Sequence, residues 1–217
     1  MDVRPEKVIA SNFFDLYYDV YDGLHTHYWL KGGRGSTKSS FISVMLIVSL
    51  LVDASKGQHT HALILRRYSN TLRESVFAQL LWAINAMGLS DFWEPSFSPM
   101  RITYSPTKQS ILFRGVDDPT KIKSVKVDRG YIKYTWFEEA NEFENAEKLR
   151  NVLQSVNRGG AQFINFYSFN PPKAARNWVN REVIEAALRP DTLVHHSDYR
   201  TVPPEWLGEQ FLAEAEH

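Results

Sequence analysis

Apolar positions along the chain alternate between two rhythms. Short runs rich in β-branched and aromatic residues predict strands at His27–Leu30, His61–Leu65, Tyr131–Phe137, Gln162–Ser168 and Thr192–His196. Longer apolar-rich stretches between them predict helices over Thr37–Leu51, Ser69–Met87, Asn145–Val156, Ala174–Leu188 and Glu205–Glu214. Arg101–Tyr104 and Ser110–Phe113 read as two more short strands, joined by the polar turn Ser105–Gln109. The helix from Thr37 is apolar nearly all round, as suits a helix buried against a sheet. Strands that alternate with helices predict a mostly parallel sheet covered on both faces.

Composition narrows the class without changing this picture. A chain of 217 residues with 43% hydrophobic content is enough for one α/β domain with a full core. Lys and Arg number 25 and so do Asp and Glu, so the formal charge is zero and any contact with nucleic acid must be local. The absence of cysteine excludes disulfides, thiolate zinc sites and cysteine nucleophiles. The histidines have no supporting acid pattern that would suggest a zinc site. Met1–Ser11 lacks the apolar core of a signal peptide, and the apolar stretch Phe41–Val52 is short for a bilayer span. A soluble, intracellular protein with no membrane partner is expected.

The strongest chemical signal is Gly32-Gly33-Arg34-Gly35-Ser36-Thr37-Lys38-Ser39, followed by Ser40. It has the P-loop spacing, with Thr37 standing where a second glycine is usual. Small residues let successive backbone N–H groups curl around phosphate oxygens, and the helix that follows presents its positive end. Lys38 would reach the β- and γ-phosphates of ATP and Ser39 would ligate Mg²⁺. A flexible Gly/Ser loop before a helix has a similar composition. The strand before it and the buried helix after it favour the P-loop. The Cβ of Thr37 narrows the freedom of the backbone there.

A second signal is the strand Tyr131–Phe137, which delivers Glu138 and Glu139 at its carboxyl end. Ligands of open α/β sheets bind beyond that end. Glu138 would hold Mg²⁺ and Glu139 would polarise the attacking water. A solvated helix start enriched in acids accounts for the pair equally well when it is taken alone. A third signal is Ser168-Phe169-Asn170-Pro171-Pro172, a polar strand end that also reads as a simple terminator. Arg66 and Arg67 close a strand on the same edge and are the arginines best placed for nucleotide or DNA contact. Lys121, Lys123, Lys126 and Arg129 form a basic run suited to DNA phosphates, or to a solvated loop.

The order of these motifs, with Leu65-Arg66-Arg67, Leu72-Arg73-Glu74-Ser75-Val76-Phe77, Phe113-Arg114-Gly115-Val116-Asp117-Asp118 and Phe137-Glu138-Glu139-Ala140, resembles the large subunit of tailed-bacteriophage terminases from about Trp29 to Tyr199. The resemblance implies a RecA/ASCE-like P-loop NTPase fold. It implies a Mg²⁺-dependent ATPase that drives double-stranded DNA into a procapsid in the host cytoplasm, with a coupling motif on Ser168 and Asn170. The partners implied are the portal protein, the small terminase subunit and copies of the chain in a ring, with a monomer in isolation. Large terminases also carry a C-terminal nuclease domain. The expected division is therefore an ATPase domain over 1–200 and the start of a linker over 201–217, with no nuclease activity from this chain alone. Two alternatives are another P-loop translocase of helicase or recombinase type, and a non-hydrolysing nucleotide-gated module.

Overall fold

Strands and helices alternate as the apolar pattern predicts, in a computed structural model that describes residues 4, 7–117 and 125–215. Asp118, Lys121, Lys123 and Glu216 lie outside the described residues. The strands are β1 (His27–Gly32), β2 (Thr60–Arg66), β3 (Trp93–Phe97), β4 (Met100–Tyr104), β5 (Ser110–Gly115), β6 (Tyr131–Glu138), β7 (Ile164–Phe169) and β8 (Thr192–Ser197). They form one sheet in the order β3-β4-β5-β2-β6-β7-β1-β8. From β5 to β8 every neighbouring pair is parallel, while β4 runs antiparallel to both β3 and β5.

Helices α1 (Phe14–Asp22), α2 (Lys38–Ser55) and α3 (Ala78–Ala86) cover one face, closing a core around Leu46, Ile64, Phe113, Trp136 and Phe166. On the other face α4 (Ala146–Val156) and α5 (Trp178–Ala186) pack on Trp29, Leu63, Phe137 and Tyr167. By length and hydropathy α2 would serve as a membrane span. It is instead the central helix of the fold, and two-thirds of it is buried against its neighbours.

Four departures from the sequence pattern have local causes. Helix α1 went unread because exposed tyrosines dilute its apolar stripe, Phe13, Leu16 and Val20. Strand β3 contains Pro95, which an edge strand tolerates because one row of its N–H groups needs no partner. The single helix predicted over Ser69–Met87 is a 3-10 turn at Ser69–Thr71, a π-turn at Arg73–Phe77 and then α3. The C-terminal helix divides at Gly208, φ 81°, into α6 (Pro204–Leu207) and α7 (Glu209–Ala215). Elsewhere caps set the starts. Asn145 accepts from the Lys148 N–H ahead of α4, and Asn177 from the Val179 N–H ahead of α5.

Candidate active site

Topology gathers the three motifs at one edge. Strand β7 lies between β1 and β6, so the P-loop, Asn170 and Glu138 leave adjacent strands at their carboxyl ends. Glu138 is in register with Ser168. The loop from Gly33 to Thr37 then turns into α2, which points its N-terminus at the same edge.

Two left-handed residues shape the loop. Gly35 has φ 72°, and Thr37 has φ 56° and ψ 16°. A β-branched residue is strained in this region, at a cost of order 1–3 kcal/mol. Glu139 is the other strained residue of the site, with φ 53° and ψ 54°, and this backbone turn takes the chain off β6 just after Glu138. The hydroxyls of Ser36 and Thr37 are buried and accept or donate no hydrogen bond among the described residues.

The side chains form one hydrogen-bonded set. Lys38 is buried and its ammonium donates to the Asn170 Oδ1 at 2.6 Å and to the Gly33 carbonyl at 3.5 Å. Among the described residues no carboxylate comes within ion-pair distance of it. Burial lowers its pKa, while the charges of Glu138 and Glu139 act in the opposite sense. Ser39 Oγ donates to Glu138 Oε1 at 3.0 Å, and the Ser168 hydroxyl donates to Glu138 Oε2. Ser168 in turn accepts from the Trp136 indole N–H at 2.8 Å. Burial also pushes the Glu138 carboxyl above its ordinary range. The Ser168 and Ser39 bonds and the Lys38 charge oppose this shift, and the charge of Glu139 adds to it. Glu139 lies within electrostatic reach of both, and its carboxylate takes no hydrogen bond from the described residues.

Lys38, Ser39, Glu138, Glu139, Ser168 and Asn170 therefore come together around Gly32–Thr37, and Arg34 is exposed at the loop's rim. Ser40 follows Ser39 in the first turn of α2, and its hydroxyl accepts from the Gln79 amide at 3.4 Å. Arg66 and Arg67 do not join this set. Arg66 approaches the Glu142 carboxylate at 3.7 Å, and Arg67 donates to the Glu142 carbonyl at 2.7 Å and lies over the Tyr68 ring. They fasten the segment after Glu139 to the end of β2.

Reading by motif missed the aromatic side chains that border the loop. A cavity of about 500 Å³ opens beside the start of α2, between Thr37, Ser40, Gln79, Trp82 and Trp206. Phe211 of α7 packs so closely on the loop that a Cβ on Gly35 would meet its ring at 2.5 Å. The residues 201–217 that read as a linker thus lend two aromatic side chains to the wall of the site. Their trace in the sequence is Trp206, Leu207, Phe211 and Leu212, an apolar stripe at helical spacing inside an acidic segment.

Comparison with known proteins agrees with this geometry. A family profile described as phage terminase large subunit matches residues 24–217. The terminase large subunit of Bacillus phage SPP1 is 38% identical over 218 residues, which cover 99% of this chain and 50% of that protein. The PBSX phage terminase large subunit of Bacillus subtilis strain 168 is 32% identical over 150 residues, 68% of this chain and 32% of that protein. Among solved structures, the large terminase of a thermophilic bacteriophage superposes with a TM-score of 0.71 at 12% identity, over 95% of this chain and 49% of that one. The same protein in complex with ATP-gamma-S gives 0.69 over 95% and 48%. At that identity the match shows the fold, an α/β domain of the P-loop NTPase type with a mostly parallel sheet flanked by helices. The chain spans half or less of the length of these curated relatives.

Proposed function

The chain belongs to the phage terminase large subunit family, and on that premise we propose that it is a Mg²⁺-dependent ATPase unit that drives double-stranded DNA into a procapsid. The observation that carries the reading is the state of Lys38. It is a buried cation held by a neutral amide oxygen and a backbone carbonyl, with no carboxylate paired to it among the described residues. A buried charge left in this way is matched by an anion that arrives from outside, and the loop around it presents N–H groups to phosphate.

Lys38 binds the β- and γ-phosphates of ATP, and its hold by Asn170 and Gly33 fixes the ammonium before they arrive. The base lies in the cavity beside α2, whose volume suits a small molecule and whose indoles offer flat faces. Mg²⁺ fits the donor set, because Ser39 Oγ and a Glu138 carboxylate oxygen are hard ligands 3.0 Å apart. Bound there, it would neutralise charge on the phosphate oxygens. Ser168 holds the other Glu138 oxygen in place, and Trp136 holds Ser168. Glu139, whose carboxylate takes no hydrogen bond from the described residues, accepts the proton of the attacking water as the water oxygen bonds to the γ-phosphorus. The bridging bond to ADP breaks in the same displacement.

Loss of the γ-phosphate frees Lys38 to pull harder on Asn170, which lies at the head of Pro171 and Pro172. This gives the coupling role for Ser168 and Asn170 a physical route, since the prolines pass a shift onward stiffly. Portal, small subunit and neighbouring copies complete the proposed assembly. The test is Mg²⁺-dependent phosphate release, compared with Glu139→Gln. The amide keeps the shape but cannot take a proton, so turnover should fall roughly 10²-fold or more while a fluorescent ATP analogue still binds. Metal-independent release would remove the Mg²⁺ role, and no release above background would remove the ATPase reading in favour of a nucleotide-gated module.

A further inference from the structure

A larger cavity, about 670 Å³, lies at the opposite end of the sheet from the P-loop. It opens where β2, β5 and β6 begin, between the β3–β4 hairpin and the loop that enters β6. Four cations line it, Arg101 and Lys108 from the hairpin side and Lys126 and Arg129 from the loop, against two carboxylates, Glu94 and Asp128. All four cations are exposed, and among the described residues none is ion-paired. Glu94 already accepts from the Ser105 hydroxyl at 2.7 Å. In a chain of zero net charge, this is a local excess of unpaired positive charge.

The wall that carries Lys126 and Arg129 is fastened to the sheet. Buried His61 accepts from the Ser110 N–H at Nδ1, 3.0 Å, so its Nε2 carries the proton and donates to the Arg129 carbonyl at 2.8 Å. Burial lowers the pKa of His61, which keeps it in this neutral form. Gly130, φ 75°, lies directly against the His59 carbonyl, where any Cβ would collide. The Arg129–Gly130 end of the loop is therefore anchored to the start of β2, on the wall that faces Arg101 across the cavity.

We propose that this cleft is a second binding site, one that holds the phosphodiester backbone of duplex DNA without reading its sequence. Exposed lysines and arginines gathered on the two walls of one cleft suit a line of phosphates. A flexible acidic peptide would gain less from walls already set in place. The cleft is far from the P-loop edge, so DNA and nucleotide occupy opposite ends of one sheet and bind together without competing. The inference rests on the DNA-packaging reading above and specifies where the chain touches its polymer.

The test measures fluorescence anisotropy of a labelled duplex with the 217-residue chain, without nucleotide, across a series of salt concentrations. Wild type is compared with the triple variant Arg101→Gln, Lys126→Gln, Arg129→Gln, and with Lys126→Arg. Each lost cation should reduce the slope of log affinity against log salt by about 0.9, so the triple variant should lose about 2.7, and Lys126→Arg should keep the wild-type slope. Two duplexes of unrelated sequence should bind alike. Melting temperature and phosphate release should be unchanged in the triple variant, since none of the three residues borders the nucleotide. If that variant fails to fold, the same measurement is made with Arg101→Gln in β4 and Lys108→Gln in the β4–β5 turn, leaving the loop before β6 untouched. An unchanged slope in a folded variant, or no duplex binding by wild type at low salt, overturns the proposal. Displacement of the duplex by polyglutamate at matched charge with little effect of added free duplex also overturns it, in favour of an acidic protein partner. Absence of phosphate release would remove the ATPase reading and leave the anisotropy result standing.

Discussion

Helix α2 carries a buried lysine–carboxylate cluster at each end, and the two are built on opposite rules. At its carboxyl end Asp53 accepts from Lys133 Nζ at 2.9 and 3.1 Å, from the Tyr134 hydroxyl at 2.7 Å and from Thr60 Oγ1 at 2.7 Å. The lysine and aspartate side chains are only 8% and 4% exposed, and the cation and anion satisfy each other. Burial and the Asp53 charge push the Tyr134 hydroxyl far above its ordinary range, so it stays a donor. At the amino end Lys38 is buried and Glu138 half-buried, yet they are not paired. Lys38 binds a neutral amide, Glu138 binds hydroxyls, and their pKa values move towards the uncharged forms. One cluster holds the helix to β6, and the other leaves its charges without an ion-pair partner among the described residues. Full satisfaction marks a structural cluster, and an imbalance that a ligand would correct marks a functional one.

The largest expected break falls on the paired end. Lys133→Met leaves Asp53 buried without its cation, and the loss of one partner of such a pair costs about 3–5 kcal/mol. Chemical denaturation should show that loss, with ATP affinity near wild type at temperatures where the variant is folded. A loss below about 1 kcal/mol would mean that the pair is no tighter than a surface ion pair.

Lys38→Met inverts this outcome. It removes a buried charge that has no carboxylate at ion-pair distance among the described residues, so stability should stay within about 1 kcal/mol of wild type or rise. Affinity for a fluorescent ATP analogue should fall about 10- to 100-fold, the worth of a charged hydrogen bond of roughly 1.5–3 kcal/mol. Equal stability losses in Lys38→Met and Lys133→Met would erase the distinction between the two ends.

Glu138→Gln should stabilise the ligand-free chain by about 0.5–2 kcal/mol while it impairs hydrolysis. The sign follows from the raised carboxyl pKa. The folded chain holds that proton more tightly than the unfolded chain does. The group's contribution is full below its ordinary 4.5 and is lost as pH rises through the higher folded value. The gain from Glu138→Gln should therefore be absent below pH 4.5 and grow towards neutrality. A gain independent of pH would assign it to packing.

The smallest effect is expected at Thr37. Glycine accepts φ 56° freely, so Thr37→Gly should raise the melting free energy by about 1 kcal/mol, offset in part by greater freedom in the unfolded loop. Destabilisation instead would show that the Thr37 side chain contributes packing that outweighs its backbone strain.

Much of this site was legible before any coordinates. The P-loop and the acid pair are local patterns, each written within one strand-loop segment, and the apolar rhythm placed them at strand ends. Ser168 and Asn170 were legible as positions only. Their partners were not, because Asn170 meets Lys38 across 132 residues through the insertion of β7 between β1 and β6. Arg66 and Arg67 read as the arginines best placed for nucleotide or DNA contact, and nothing in the sequence signals that both would reach Glu142.

The sequence by itself determined the alternation of elements, the loop that curls before α2 and the acids that end β6. Those properties follow from periodicity and from the backbone freedom of neighbouring residues. Tertiary structure alone decided which charges are paired. Lys133 reaches Asp53 because the register of β6 against β2 shifts between His61 and Ala62 and turns that lysine towards α2. The P-loop spacing singles out Lys38, but no local pattern shows that Lys133 has a carboxylate partner. Pairing depends on strand order and register, which are set by the packing of the whole sheet, and a lysine's role is fixed only when its neighbours are.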